Sequence, residues 1–376
     1  MQTFEKLRAW LSGQAEQKVY GAAAAVSVHG ERVFTGYSGY ADAERRFPVG
    51  GRTAFRLASM TKPVTAAAIL ICRQRGLLRL DDAVSEYIPA FRAMYVAQRE
   101  PGGGWVRGPR AGAITLRHLL THSSGLGSGA YGDSVYAGVK PREGDTLQSA
   151  AERYAGCLLD FLPGTSQYYS AVLGFDVLAA VVERVTGRAF GAFVKKEIFA
   201  PLGMEHTSFS LSDFAAEDLA AASRWKDGAL VPDPLPSSFE DFPAGYTGGC
   251  AGLVSVLDDY MLFAEELLRA FTGRGRVLSR GSISEMSRPQ LPADIEGISD
   301  LFNWGLGVRV LPARGEGQPL PGGSFGWSGA YGTHFWGDPA GGVAAVYLHN
   351  SRSFGGAGAP HTLEFERLVT NALGQA

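Results

Sequence analysis

The chain has 376 residues, 45% of them hydrophobic and 19% charged, with a formal net charge of -2, enough for two structural lobes and a large core. Its near-neutral balance offers no basic footprint for nucleic acid, and no apolar run of about 18 residues is present to span a membrane, so both partners are set aside. Cys72, Cys157 and Cys250 lie far apart with no CxxC pair, which argues against a zinc site or a disulfide framework and leaves them as small buried hydrophobes.

The first eleven residues lack a basic segment followed by an apolar one, so a cytoplasmic location is the default expectation. Phe4, Leu7, Trp10 and Leu11 recur at helical intervals, and residues 22–28 and 32–40 read as two strands joined at His29-Gly30. Residues 59–75 carry an alanine-rich apolar stripe ended by Gly76, a buried helix with a glycine terminator. Further helices are expected at 116–120, 172–185 and 258–270, separated by loops over 102–112, 125–144 and 226–249. Loops of that length in a compact protein line a site. Strands return at 305–311, 325–327, 333–336 and 343–349, and a helix over 361–373 closes the chain. Residues 1–80 and 300–376 therefore form one discontinuous α/β lobe around a mainly helical lobe at 81–299, with the active site between them.

The chemistry centres on Ser59-Met60-Thr61-Lys62, an S-x-x-K pattern whose two functional residues share a face of a helix. A hydroxyl becomes a nucleophile when a base takes its proton, and a buried lysine amine can be that base. The helix start adds backbone N–H groups and the positive dipole end, which favour an oxyanion. Pro63 has no N–H for the carbonyl of Ser59 and disfavours helical geometry at Lys62, so a distorted first turn is expected. The pattern arises by chance about once in a chain this long, and a second copy, Ser223-Arg224-Trp225-Lys226, runs into the turn signal Asp227-Gly228 instead of an apolar helix.

Phe55-Arg56-Leu57-Ala58-Ser59-Met60-Thr61-Lys62-Pro63 resembles the nucleophile segment of class C β-lactamases, penicillin-binding proteins and family VIII carboxylesterases. Other segments follow in that superfamily's order. They are Leu116 to Leu126 (LRHLLTHSSGL), Pro163-Gly164 before Tyr169-Ser170-Ala171, Gly248 to Leu253 with Asp258-Asp259-Tyr260, and Trp327-Ser328-Gly329 where lactamases carry K-T-G. The resemblance implies a two-lobe α/β (α+β) β-lactamase-like fold, its antiparallel sheet flanked by N- and C-terminal helices beside a mainly helical lobe. It also implies catalysis by Ser59, Lys62 and Tyr169, an oxyanion hole from the backbone amides of Ser59 and Ala330, and substrate contacts from Ala171, Trp327, Ser328 and Gly329. No metal or organic cofactor is implied.

Two departures shift the expected substrate. Trp327 stands where lactamases place a cationic or polar side chain, no lysine follows Lys226, and an arginine such as Arg309 would have to supply that charge. Ala171 replaces the asparagine amide that recognises β-lactams and peptides. Both point to a carboxylesterase acting on small uncharged ester molecules; a lactamase, a D-amino acid amidase or peptidase, an acyltransferase, and an inactive binding or sensor protein are the alternatives.

Three other patterns are given bland readings. Gly322-Gly323-Ser324-Phe325-Gly326 satisfies G-x-S-x-G, but a strand follows it where that elbow needs a helix. Gly127, Gly129 and Gly132 match GxGxxG without a preceding strand or a following helix. His118 and His122 lack the glutamate and third ligand of a metal site and read as satisfied structural histidines, while His334 keeps a conceivable pocket role.

Overall fold

In the computed structural model, residues 4–233, 242–313, 315 and 317–374 are described. A seven-stranded antiparallel sheet draws on both ends of the chain, in the order Asn303–Trp304, Arg309–Val310, Phe325–Ser328, His334–Asp338, Val343–His349, Gly21–Val28 and Glu31–Gly39. The Gly21–Val28 strand (GAAAAVSV) is buried almost throughout because both of its faces are covered. Its alternation sends Ala22, Ala24 and Val26 to a core shared with Leu7, Leu11 and Phe365 of the terminal helices. Ala23 and Ala25 go instead to the main core with Phe335, Val346 and the helix after Ser59.

That helix, Thr61–Gln74, is buried from Thr61 to Cys72, as expected of a helix apolar on all sides. It packs against Leu173–Thr186, which stops at Gly187, held in the left-handed region at φ 66°. Leu257–Phe271 and Pro360–Ala372 complete the expected helices to within a few residues. A small sheet of Ala54–Arg56, Val254–Val256 and Thr207–Ser208 fixes the approach to the nucleophile segment.

The expected loops are more ordered than their composition suggests. Tyr95–Arg99 and Trp105–Arg110 form a hairpin across the start of the 102–112 segment, and Ala130–Val139 is a helix inside 125–144. Both segments are half exposed, so their periodicity is weak, and their order comes from packing, as in the contact of the Trp105 and Tyr131 rings 5.7 Å apart. The 226–249 segment begins as a hairpin, Ser223–Lys226 with Ala229–Pro232, turning at Asp227-Gly228 as expected; residues 234–241 lie outside the described residues. The expected strand over 305–311 is reduced to Arg309–Val310, with Asn303–Trp304 before it. No helix among the described residues is long and apolar enough to cross a membrane.

Candidate active site

Ser59 sits in a separate 3-10 turn, Ala58–Met60, ahead of the Thr61–Gln74 helix. This is the distortion expected from Pro63: the proline falls in the first turn of the α-helix, where an N–H has no intrahelical partner to lose. Ala58 takes a left-handed φ of 47°, unusual for a residue with a Cβ and characteristic of a chain held under strain at a site. Leu253 braces the turn from outside, its carbonyl accepting from Leu57 N at 2.9 Å and its N–H donating to Thr61 Oγ1 at 3.2 Å.

Lys62 is fully buried while Ser59 is only half-buried, so the amine is sealed beneath a reachable hydroxyl. Lys62 Nζ lies 3.3 Å from Ser59 Oγ, 2.6 Å from the Ala171 carbonyl and 3.0 Å from the Cys250 carbonyl. Three acceptors match the three N–H bonds of an ammonium. Phe175 and Tyr169 close over it, their ring centroids 5.5 and 5.0 Å from Nζ. Tyr169 therefore stands beside Lys62, and its hydroxyl accepts from the Trp327 indole N–H at 3.3 Å. Trp304 completes an aromatic wall, 4.6 Å from Trp327 and 5.9 Å from Tyr169 between ring centroids.

Opposite Ser59, Gly329 presses against the nucleophile segment. A Cβ at Gly329 would stand 2.2 Å from both the Leu57 carbonyl and Thr333 Oγ1, so only glycine fits. Ala330 follows in a turn, and among the described residues no backbone carbonyl accepts from the N–H of either Ser59 or Ala330. The geometry thus offers a nucleophile, a buried amine in contact with it, and two unengaged amides on the facing segments.

The family model for Beta-lactamase matches residues 2–366. The chain belongs to the beta-lactamase family. As a family member it is a serine hydrolase, and it is 34% identical to Esterase EstB of Burkholderia gladioli, with 94% of this chain and 91% of the relative covered. The solved structure of EstCE1, a hydrolase with promiscuous acyltransferase activity, superposes with a TM-score of 0.82 at 28% identity, covering 97% of this chain and 98% of that one. Acyltransferase calJ of Penicillium decumbens is 28% identical, over 82% of this chain and 78% of its own.

Within this family fold the structure brings Ser59, Lys62, Tyr169, Ala171 and Trp327 together. Trp327 and Ser328 alternate across the strand, so the indole meets Tyr169 while the Ser328 hydroxyl lies 2.8 Å from His334 Nδ1 on the neighbouring strand. His334 in turn lies 3.2 Å from Glu366 of the C-terminal helix, which corrects the idea of a pocket role for it. Arg309 is committed to the same carboxylate at 3.1 Å and is not free to recognise a substrate charge. Ser324 is fully buried just before its strand, which disposes of the G-x-S-x-G elbow. Gly129 caps the Ala130–Val139 helix, and Gly132 lies within it, under Asp160. In the second S-x-x-K copy Ser223 is buried and Lys226 exposed on a strand, where residues three apart face opposite ways.

Sequence reasoning missed Asp176, Trp304 and the Cys250 carbonyl. Asp176 is buried and accepts from the Cys250 N–H at 3.1 Å and from the Tyr246 hydroxyl at 2.8 Å, holding from its N–H side the residue whose carbonyl receives Lys62. Burial pushes its carboxyl above the ordinary range, against the pull of those hydrogen bonds and of Lys62. The only signal was an acid inside an otherwise apolar helix, LGFDVLAAVV. A cavity of about 710 Å³ includes Arg56, Phe209, Phe242, Tyr246 and Leu253 in its lining but not Ser59.

Proposed function

We propose that this chain is a carboxylesterase that forms an acyl-enzyme on Ser59 and acts on small uncharged esters. The contact of Ser59 with the enclosed Lys62 amine carries the reading. Without its extra proton, Lys62 has two N–H bonds for the Ala171 and Cys250 carbonyls and one lone pair for the Ser59 hydroxyl. With it, the third N–H points back to Ser59. The same partners serve both states, so a proton can move with little rearrangement.

In the proposed cycle Ser59 Oγ attacks the ester carbonyl carbon and its proton passes to Lys62. The carbonyl oxygen becomes an oxyanion held by the amides of Ser59 and Ala330. Collapse breaks the bond to the alcohol oxygen, which takes the proton by way of Tyr169. Water then attacks the acyl-enzyme by the reverse relay and releases the acid. Trp327 and Ala171 offer substrate neither a charge nor a side-chain amide, which favours esters over lactams and peptides; the esterase name of the Burkholderia relative agrees. Acyl transfer is the second reading, favoured by the acyltransferase names of two relatives, and differs only in that an alcohol replaces water.

Intact mass after a fluorophosphonate probe tests the nucleophile. Wild type and Ser324→Ala are expected to gain one adduct and Ser59→Ala none; labelling that persists in Ser59→Ala and vanishes in Ser324→Ala refutes the mechanism. Hydrolysis of p-nitrophenyl butyrate beside nitrocefin tests the substrate class, and the ester is expected to react faster. Adding a primary alcohol and measuring ester product separates transfer from hydrolysis.

A further inference from the structure

His122 has no step in that cycle, yet its fully buried ring centroid lies 4.5 Å from that of Tyr169, 4.4 Å from Trp304 and 5.3 Å from Phe175. Read from sequence it is a satisfied structural histidine, and the structure satisfies only half of it. Nδ1 accepts the Ser170 N–H at 3.1 Å, while Nε2 is buried with no hydrogen-bond partner among the described residues. The His122 carbonyl accepts the Tyr168 N–H at 3.2 Å. Two bonds from one residue therefore grip the backbone on either side of Tyr169.

The residue also holds a left-handed φ of 56°, a conformation that persists in a side-chain-bearing residue only where its surroundings impose it. An Nδ1 that accepts requires the proton on Nε2, so the imidazole is neutral and directs its N–H among aromatic rings, which can receive it weakly. Burial first, and the Lys62 charge second, keep it neutral. The ionisable groups near its ring are Lys62 from the nucleophile helix and Tyr169; the Phe175 and Trp304 walls are not ionisable.

We propose that His122 is the positioning residue for Tyr169, clamping residues 168 and 170 so that the phenol is held between Lys62 and Trp327. The proposal rests on the reading of Tyr169 as a proton-transfer group. Asparagine tolerates left-handed φ and can place an oxygen where Nδ1 stands; alanine supplies no acceptor, and glutamine reaches too far.

The test measures kcat and KM for p-nitrophenyl butyrate in full-length His122→Ala, His122→Asn, His122→Gln and Tyr169→Phe, each checked for folding by circular dichroism. We expect His122→Ala to lose kcat by about 10- to 100-fold with KM nearly unchanged, and His122→Asn to recover most of that loss. Should His122→Ala fail to fold, the pair Asn and Gln decides, and Asn must be the more active. Wild-type kcat in His122→Ala beside an inactive Tyr169→Phe overturns the positioning role alone, as does equal loss in Asn and Gln. Full activity in Tyr169→Phe overturns the underlying reading of the phenol.

Discussion

Replacing Gly329 by alanine probes the closest approach between the two halves of the proposed oxyanion hole. The added methyl would lie 2.2 Å from the Leu57 carbonyl and 2.2 Å from Thr333 Oγ1, against the roughly 3.4 Å of ordinary contact. Thr333 is buried and already donates to that same carbonyl at 2.9 Å, so it cannot simply turn aside. The strand must therefore back away by about 1 Å from a segment that carries Ser59 two residues later. Overpacking of this kind costs about 1–3 kcal/mol of stability, and a misplacement of about 1 Å costs about 100-fold in rate. Urea unfolding and p-nitrophenyl butyrate hydrolysis read the two effects separately. Gly13→Ala is the control, because nothing lies within 4 Å of its new Cβ on the Glu5–Gln17 helix, and it is expected to gain up to about 1 kcal/mol. A Gly329→Ala enzyme with wild-type kcat would refute the placement of Ala330 opposite Ser59.

Three further outcomes are expected. Lys62→Met should lower kcat by roughly a thousandfold or more while its Tm does not fall, because a fully buried cation is removed at the cost of two carbonyl partners; a lower Tm would count against this balance. Trp327→Phe keeps the ring contact but loses the N–H to Tyr169, and about 1 kcal/mol, or about fivefold in kcat, should go with it; an unchanged kcat would remove that bond from the mechanism. Burial lowers His349 from 6.5 to about 3, so the folded state keeps it neutral while the unfolded chain takes up a proton below about 6.5. Its contribution is present above that pH and is lost on acidification, about 2 kcal/mol between pH 7 and pH 5. His122, His334 and His361 are lowered too and add in the same sense. Urea unfolding at both pH values should show a flatter dependence in His349→Asn, and an equal slope would refute the assignment.

Much of the fold was legible because its signals are local and strong. The short apolar run at 22–28, the apolar stripe after Ser59 and the glycine stops at 76 and 187 each report a segment's own burial or ending. The hairpin at 95–110 and the helix at 130–139 were missed because their half-exposed residues carry little periodicity and owe their order to neighbours distant in sequence.

At the site, the identities of Ser59, Lys62, Tyr169 and the departures at Ala171 and Trp327 were present in the sequence itself, since residue type decides which proton or charge is available. Tertiary structure alone decided where those groups point. Strand alternation turned Trp327 toward Tyr169 and Ser328 toward His334, and Glu366 took Arg309 out of play. The Ala171 and Cys250 carbonyls, supplied from residues 109 and 188 positions away, made the partners of Lys62 complete. No spacing in the chain encodes those contacts, because they exist only once the helix after Ser59 packs against the helix after Ala171 and the loop carrying Cys250 folds over Lys62.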